Sequence, residues 1–128
     1  MKRLPALLPP WSLTTVISLL ILYLTLVPQP MPDDFTEPFP GADKVVHGIM
    51  FAALTGAIVF DRGQSARRVP TRKFTLLAAG IAIAAGALIE LLQLWMAMGR
   101  GCEIADLAAD SLGALLAAPI SRFIYSKF

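Results

Sequence analysis

The sequence predicts an all-α, polytopic membrane protein: four transmembrane helices, with both termini in the cytoplasm. Three observations carry this expectation. Hydrophobic residues make up 56% of the 128-residue chain and charged residues only 16%, against about 25% charged in a typical soluble domain; the mean hydropathy is +0.67. The apolar residues fall into four long segments with no period-2 alternation, so helices rather than spanning strands are expected. Nine of the eleven basic residues lie on one side of a four-span arrangement, which the positive-inside rule places in the cytoplasm. The chain then forms a single four-helix membrane domain over residues 1–128, with spans at about 11–27, 45–60, 74–98 and 104–123.

Each segment has its own signature. Met1–Pro10 is a short basic head with Lys2 and Arg3, ended by Pro9-Pro10. Trp11–Val27 follows as an apolar run near the lower length limit for a span. It is longer than a signal-peptide core, and Val27-Pro28-Gln29-Pro30 offers no small-residue cleavage pattern, so it reads as an uncleaved first span. Rich in Leu, Ile and Val and poor in small residues, it suits a lipid-facing position. Pro28–Asp43 carries five prolines and four acids; proline at this density favours extended chain, and the stretch reads as an external linker rather than a lid.

Val45–Phe60 is the second span, with Asp43-Lys44 at its mouth and His47 one turn in. Gly48, Ala52 and Gly56 recur every four residues, a small-residue stripe along which a neighbouring helix can approach closely. Asp61–Lys73 reads as a basic loop, broken by Gly63 and Pro70, that sets topology and meets anionic head groups. Phe74–Met98 is the third span. Its Ala79, Ala82, Gly86, Glu90, Gln93 and Ala97 share one face, small at one end and polar at the other. After a Gly99-Arg100-Gly101 turn, Ile104–Phe123 is the fourth, with a matching stripe of Asp106, Asp110, Gly113 and Ala117. Pro119 is expected to kink or end that helix. Trp11 and Trp95 sit where the two interfacial aromatic belts should lie.

Composition also excludes function classes. The net charge of +2 and pI near 9.0 come from basic residues in the connections, not from a folded basic surface with interleaved aromatics, so nucleic acid is not an expected partner. The single cysteine, Cys102, rules out an intrachain disulfide and offers no metal-binding spacing. There is no serine elbow, zincin helix or phosphate loop. Ser111 directly follows Asp110, so on a helix it points elsewhere.

The informative residues are polar groups inside apolar helices. An acidic side chain at the centre of a membrane helix costs roughly 2.5–3.5 kcal/mol, so such residues usually face the bundle interior and mark a site. At about 1.5 Å per residue, His47 lies roughly 6 Å from the outer helix end, Glu90 roughly 12–14 Å, Asp106 roughly 4 Å and Asp110 roughly 10 Å. All belong to one slab in the outer leaflet. A short turn makes the third and fourth helices antiparallel neighbours whose polar stripes can face each other, so an outward-opening polar pocket is expected. In that slab Asp43, Glu90, Glu103, Asp106 and Asp110 are offset only by Lys44 and Arg100, leaving −3 with His47 neutral. A protonated carboxyl, an imidazolium at His47 or a bound cation would each relieve this excess. Taken singly, His47, Gln93, Asp106 and Arg100 each have ordinary structural explanations. Glu90 and Asp110 are too deep for them.

Asp43-Lys44-x-x-His47, Glu90-x-x-Gln93, a short turn holding Arg100, and Asp106 followed by Asp110-Ser111-Leu112-Gly113-Ala114 together resemble the VanZ-like family of small bacterial membrane proteins, over about residues 41–118. The resemblance implies a four-span protein of the bacterial cytoplasmic membrane, with polar positions at Asp43, Lys44, His47, Glu90, Gln93, Arg100 and Asp106. The family's founding member is associated with low-level teicoplanin resistance, without an established biochemical activity. Asp110 departs from the pattern, standing where asparagine is expected and adding a potential charge.

Three functions compete on this reading. The leading one is a non-catalytic envelope protein whose pocket (Asp43, Lys44, His47, Glu90, Gln93, Arg100, Asp106 and Asp110) binds the head group of a membrane lipid or lipid-linked wall precursor. The second is an intramembrane enzyme using His47, Glu90, Asp106 and Asp110 as acid/base groups or as ligands of a divalent metal. The third is proton or ion movement, which four spans without an internal repeat would support only as an oligomer. No cofactor is required by the first reading; a divalent cation is the one the acids and His47 could accommodate.

Overall fold

The computed structural model describes residues 9–26, 42–96 and 104–127. They form four helices, α1 (Ser12–Leu26), α2 (Ala42–Ala66), α3 (Arg72–Met96) and α4 (Ile104–Ser126), and no strand occurs among the described residues. Three of these, α2, α3 and α4, are long and apolar enough to cross a membrane. α1, with 15 residues, covers about 22 Å at 1.5 Å per residue.

The helices alternate in direction, so one end of the bundle collects the start of α1, the α2–α3 connection and the end of α4. Contacts there prove the pairing. Thr14 N–H donates to Asp61 Oδ2 at 2.7 Å, Gln64 Nε2 donates to the Tyr125 hydroxyl at 2.8 Å, and Arg122 Nε donates to the Pro70 carbonyl at 2.9 Å. α2 touches the other three helices, most extensively α4; α1 rests on α2 and α3 but not on α4. An apolar groove of about 370 Å³ therefore runs between α1 and α4 across α2.

Small residues set the packing. A Cβ at Gly113 of α4 would overlap the carbonyl oxygen of Gly48 on α2 and lie 2.8 Å from its carbonyl carbon and 2.9 Å from its Cα. The two backbones thus touch directly, as small-residue positions allow in membrane helix pairs. Around this contact Phe51, Leu54, Ile58 and Val59 of α2 meet Ala78, Ala79, Ala82 and Ile89 of α3 and Ala114 and Ala118 of α4. Large apolar side chains instead cover the outside: Val16, Leu19 and Leu20 on α1, Leu76, Leu88 and Leu91 on α3, Leu112, Leu116 and Phe123 on α4. That is the distribution expected where lipid, not water, surrounds the protein.

Several boundaries differ from the sequence expectation. α2 does not stop at Phe60 but runs through Gly63 to Ala66, so the basic loop shrinks to residues 67–71. The helix ends in a Schellman motif: Arg67 takes φ 57°, and Arg68 N–H donates to the Gly63 carbonyl at 3.2 Å, satisfying an orphan helix-end carbonyl. α3 begins at Arg72 rather than Phe74 because Thr71 caps it, its Oγ1 accepting from Phe74 N–H at 3.1 Å. Pro119 does not end α4, which continues to Ser126. On α4 the fully buried line is Asp110, Ala114 and Ala118, while Gly113 and Ala117 flank it.

Candidate functional site

The opposite end of the bundle brings together three ionisable side chains from three helices. His47 stands one turn into α2, Glu90 in the second half of α3 and Asp110 in the second turn of α4. None lies in an end turn whose dipole would favour a carboxylate. His47 Nδ1 is 3.0 Å from Asp110 Oδ1, with 13% of the His47 side chain and 2% of the Asp110 side chain exposed. Glu90 is 3% exposed, and one nitrogen or oxygen of each of the three lies within 4.8 Å of the others.

The local packing explains why these side chains converge. Gly48 follows His47 directly, and Gly113 is three residues beyond Asp110, so the backbone contact of the two glycines holds His47 and Asp110 at one level. Gly86, one turn before Glu90, makes room on α3: a Cβ there would lie 2.9 Å from Asp110 Oδ2 and 3.4 Å from Phe51 Cε1. The Asp110 carboxylate therefore rests on bare α3 backbone. Phe51, buried one turn below His47, closes the cluster from the apolar core. Lys44, one turn before His47 on the same side of α2, is partly buried.

Of the eight expected pocket residues, the structure unites His47, Glu90 and Asp110 and places Lys44 on the adjoining turn. Asp43, Gln93 and Asp106 belong to α2, α3 and α4, but their side chains, like the whole of Arg100, lie outside the described residues. Ser111 donates to the Leu107 carbonyl at 2.8 Å, within its own helix, and takes no part in the cluster. The sequence reading missed Phe51 as the floor; its signal was a bulky aromatic four residues after His47, on the same face of α2.

Chemically, the His47–Asp110 contact has two uses. A neutral imidazole that donates Nδ1–H to the carboxylate leaves Nε2 as a base or acceptor. Alternatively Nδ1 and the carboxylate oxygens turn together towards a cation. Glu90 and Asp110 add acceptors for hydroxyl or ammonium groups.

A family model described as VanZ/LLP1 matches residues 12–125, more of the chain than the motifs in residues 41–118. Neither a curated protein nor a solved structure matches it.

Proposed function

The chain belongs to the VanZ-like family, and from that premise we propose that this helical membrane protein of the cell envelope binds a polar head group at the His47–Glu90–Asp110 end of its bundle. The observation that carries the reading is the meeting of three ionisable side chains from three helices, two of them almost fully buried. Charges at such depth are costly and mark sites more often than packing. Glu90, Asp110 and His47 accept from the hydroxyl or ammonium groups of a head group, and Lys44 and Arg100 attract its phosphate. The ligand class is a phosphate-bearing lipid, or a lipid-linked wall precursor in the bacterial cytoplasmic membrane.

The pocket faces outward in this reading. Arg62, Arg67, Arg68, Arg72, Lys73, Arg122 and Lys127 all belong to the opposite end, where Arg122 meets Pro70 and Arg62 lies over the Phe74 ring. By the positive-inside rule that end is cytoplasmic. Reporter fusions after Arg68 and at the C-terminus should then read as cytoplasmic and a fusion near Glu37 as external; Glu37 and Arg68 on one side would refute the arrangement. A wall-precursor occupant would link the protein to teicoplanin-type susceptibility, because it would change how much precursor a glycopeptide can reach.

The direct test extracts the full chain with its surrounding lipid and identifies retained species by native mass spectrometry. Wild type should keep one head-group class that Glu90→Gln and His47→Asn lose at equal protein abundance. Identical lipid retention in all three would remove the proposal. The His47–Asp110 contact favours a second reading, an acid/base enzyme acting on the same head group. In that case Asp110→Asn retains lipid but stops its turnover, measured by product analysis of the reconstituted protein.

A further inference from the structure

We propose that His47, Glu90 and Asp110 form a binding site for a first-row divalent cation, with Zn²⁺ the best-matched ion. The inference does not rest on head-group binding, since it concerns the metal alone.

The donor set is one imidazole nitrogen and two carboxylates, contributed by α2, α3 and α4. Carboxylates alone suit Ca²⁺ or Mg²⁺, which take oxygen ligands; the imidazole shifts the preference to the Zn²⁺ class. Zinc holds nitrogen and oxygen ligands at about 2.0–2.2 Å. Two ligands of one tetrahedral ion are therefore about 3.3–3.6 Å apart. The His47 Nδ1 to Asp110 Oδ1 distance of 3.0 Å is a hydrogen-bond spacing a few tenths of an ångström shorter than that. The donor atoms of all three residues lie within 4.8 Å of one another, so an ion is seated by small side-chain rotations that part the first pair and draw in the third.

Charge supports the same conclusion. With both carboxylates ionised and His47 neutral the three donors carry −2, a charge that attracts a divalent ion even with the Lys44 ammonium on the adjoining turn offsetting part of it. Burying two like charges together is otherwise strongly unfavourable. The site is also built: the Asp110 carboxylate occupies the space a Cβ on Gly86 would take, the Gly48–Gly113 contact fixes the level of two donors, and Phe51 closes the floor. Three side chains leave at least one coordination position of a tetrahedral ion open, as catalytic rather than structural zinc sites do. His47, with 13% of its side chain exposed, keeps the cluster within reach of an entering ion.

The test uses the full chain, purified in detergent with a tag free of histidine, stripped with chelator and titrated with ZnCl₂. Wild type should bind one Zn²⁺ per chain, with Mg²⁺ and Ca²⁺ unable to displace it at equal concentration. Each of His47→Asn, Glu90→Gln and Asp110→Asn should weaken Zn²⁺ binding about 100-fold or more, since even the partners of metal ligands typically count for 10–100-fold. Asp61→Asn, at the other end of the bundle, should bind as wild type does. Zinc-edge X-ray absorption on the loaded wild type needs no variant, so it answers the question even if a variant fails to fold. It should show a single imidazole with oxygen donors. Well under one ion per chain in wild type, zinc retained by all three variants, or a spectrum without imidazole would each overturn the proposal. None of these results touches lipid retention, so the two proposals fail separately.

Discussion

Both ends of the bundle bury acidic or hydroxyl groups among apolar helices, but they do so for different reasons. At the α2–α3 end the polar contacts of Asp61, Gln64 and Arg122 described above serve the backbone or a neutral partner. Asp61 accepts from Thr14 N–H in the first turn of α1, so its charge meets an orphan donor and the positive end of a helix dipole. Tyr125, 3% exposed, bonds Gln64 and sets its ring edge-on to Phe60 at 5.3 Å. At the α3–α4 end His47, Glu90 and Asp110 converge from at least one turn inside their helices, where no helix terminus calls for a charge. The first arrangement is structural polarity; the second is the one for which a ligand is proposed above. A buried carboxylate is therefore informative only once its partner is known.

The largest effects should come from the glycines that hold the two ends. Gly113→Ala drives a Cβ into the Gly48 backbone, which cannot rotate away, and should cost about 3 kcal/mol or abolish the folded protein. Gly63→Ala would overlap ring carbons of Tyr125, a side chain rather than a backbone, and with that ring displaced should cost about 1–2 kcal/mol. Thermal unfolding in detergent, with membrane abundance alongside, ranks the two. Equal tolerance would mean the helix pair is looser than the Gly48–Gly113 contact requires.

Charge removal separates the ends next. Glu90→Gln should leave abundance at or above wild type, because insertion of an ionisable group at depth costs roughly 2.5–3.5 kcal/mol, yet reproduce whatever phenotype deletion gives. Asp110→Asn should be milder, since it restores the amide the family pattern leads one to expect. Asp61→Asn should behave oppositely, losing about 1 kcal/mol of stability as a weakened helix cap while complementing fully. Full complementation by Glu90→Gln at normal abundance would reduce Glu90 to a packing residue and erase the contrast.

The smallest effect belongs to Tyr125→Phe, which removes one hydrogen bond to Gln64 and should cost about 1 kcal/mol with no change in lipid or metal retention. A loss of either would mean the ends are coupled along α4.

The sequence alone determined the solvent and the elements. Hydropathy and helical spacing are properties of neighbouring residues, so the four apolar segments, the small face of α3 and the inward-facing positions of Glu90 and Asp110 could be read directly. The segregation of basic residues is equally local. Helix ends were read less well: capped by Thr71, α3 starts two residues ahead of the expected Phe74, and Gly63 looked like a breaker although it is needed inside α2 to seat Tyr125. Only the tertiary structure decided which polar residues meet. Spacing places Asp106 and Asp110 on one face of α4 and leaves Asp61 without an assignment; it cannot say that His47 reaches Asp110 or that Asp61 reaches α1. Those pairings depend on how far each helix is turned about its axis and slid along its neighbour. Backbone contact at Gly48–Gly113 and the bare surface of Gly86 set both, through atoms 24 to 65 residues apart in the chain.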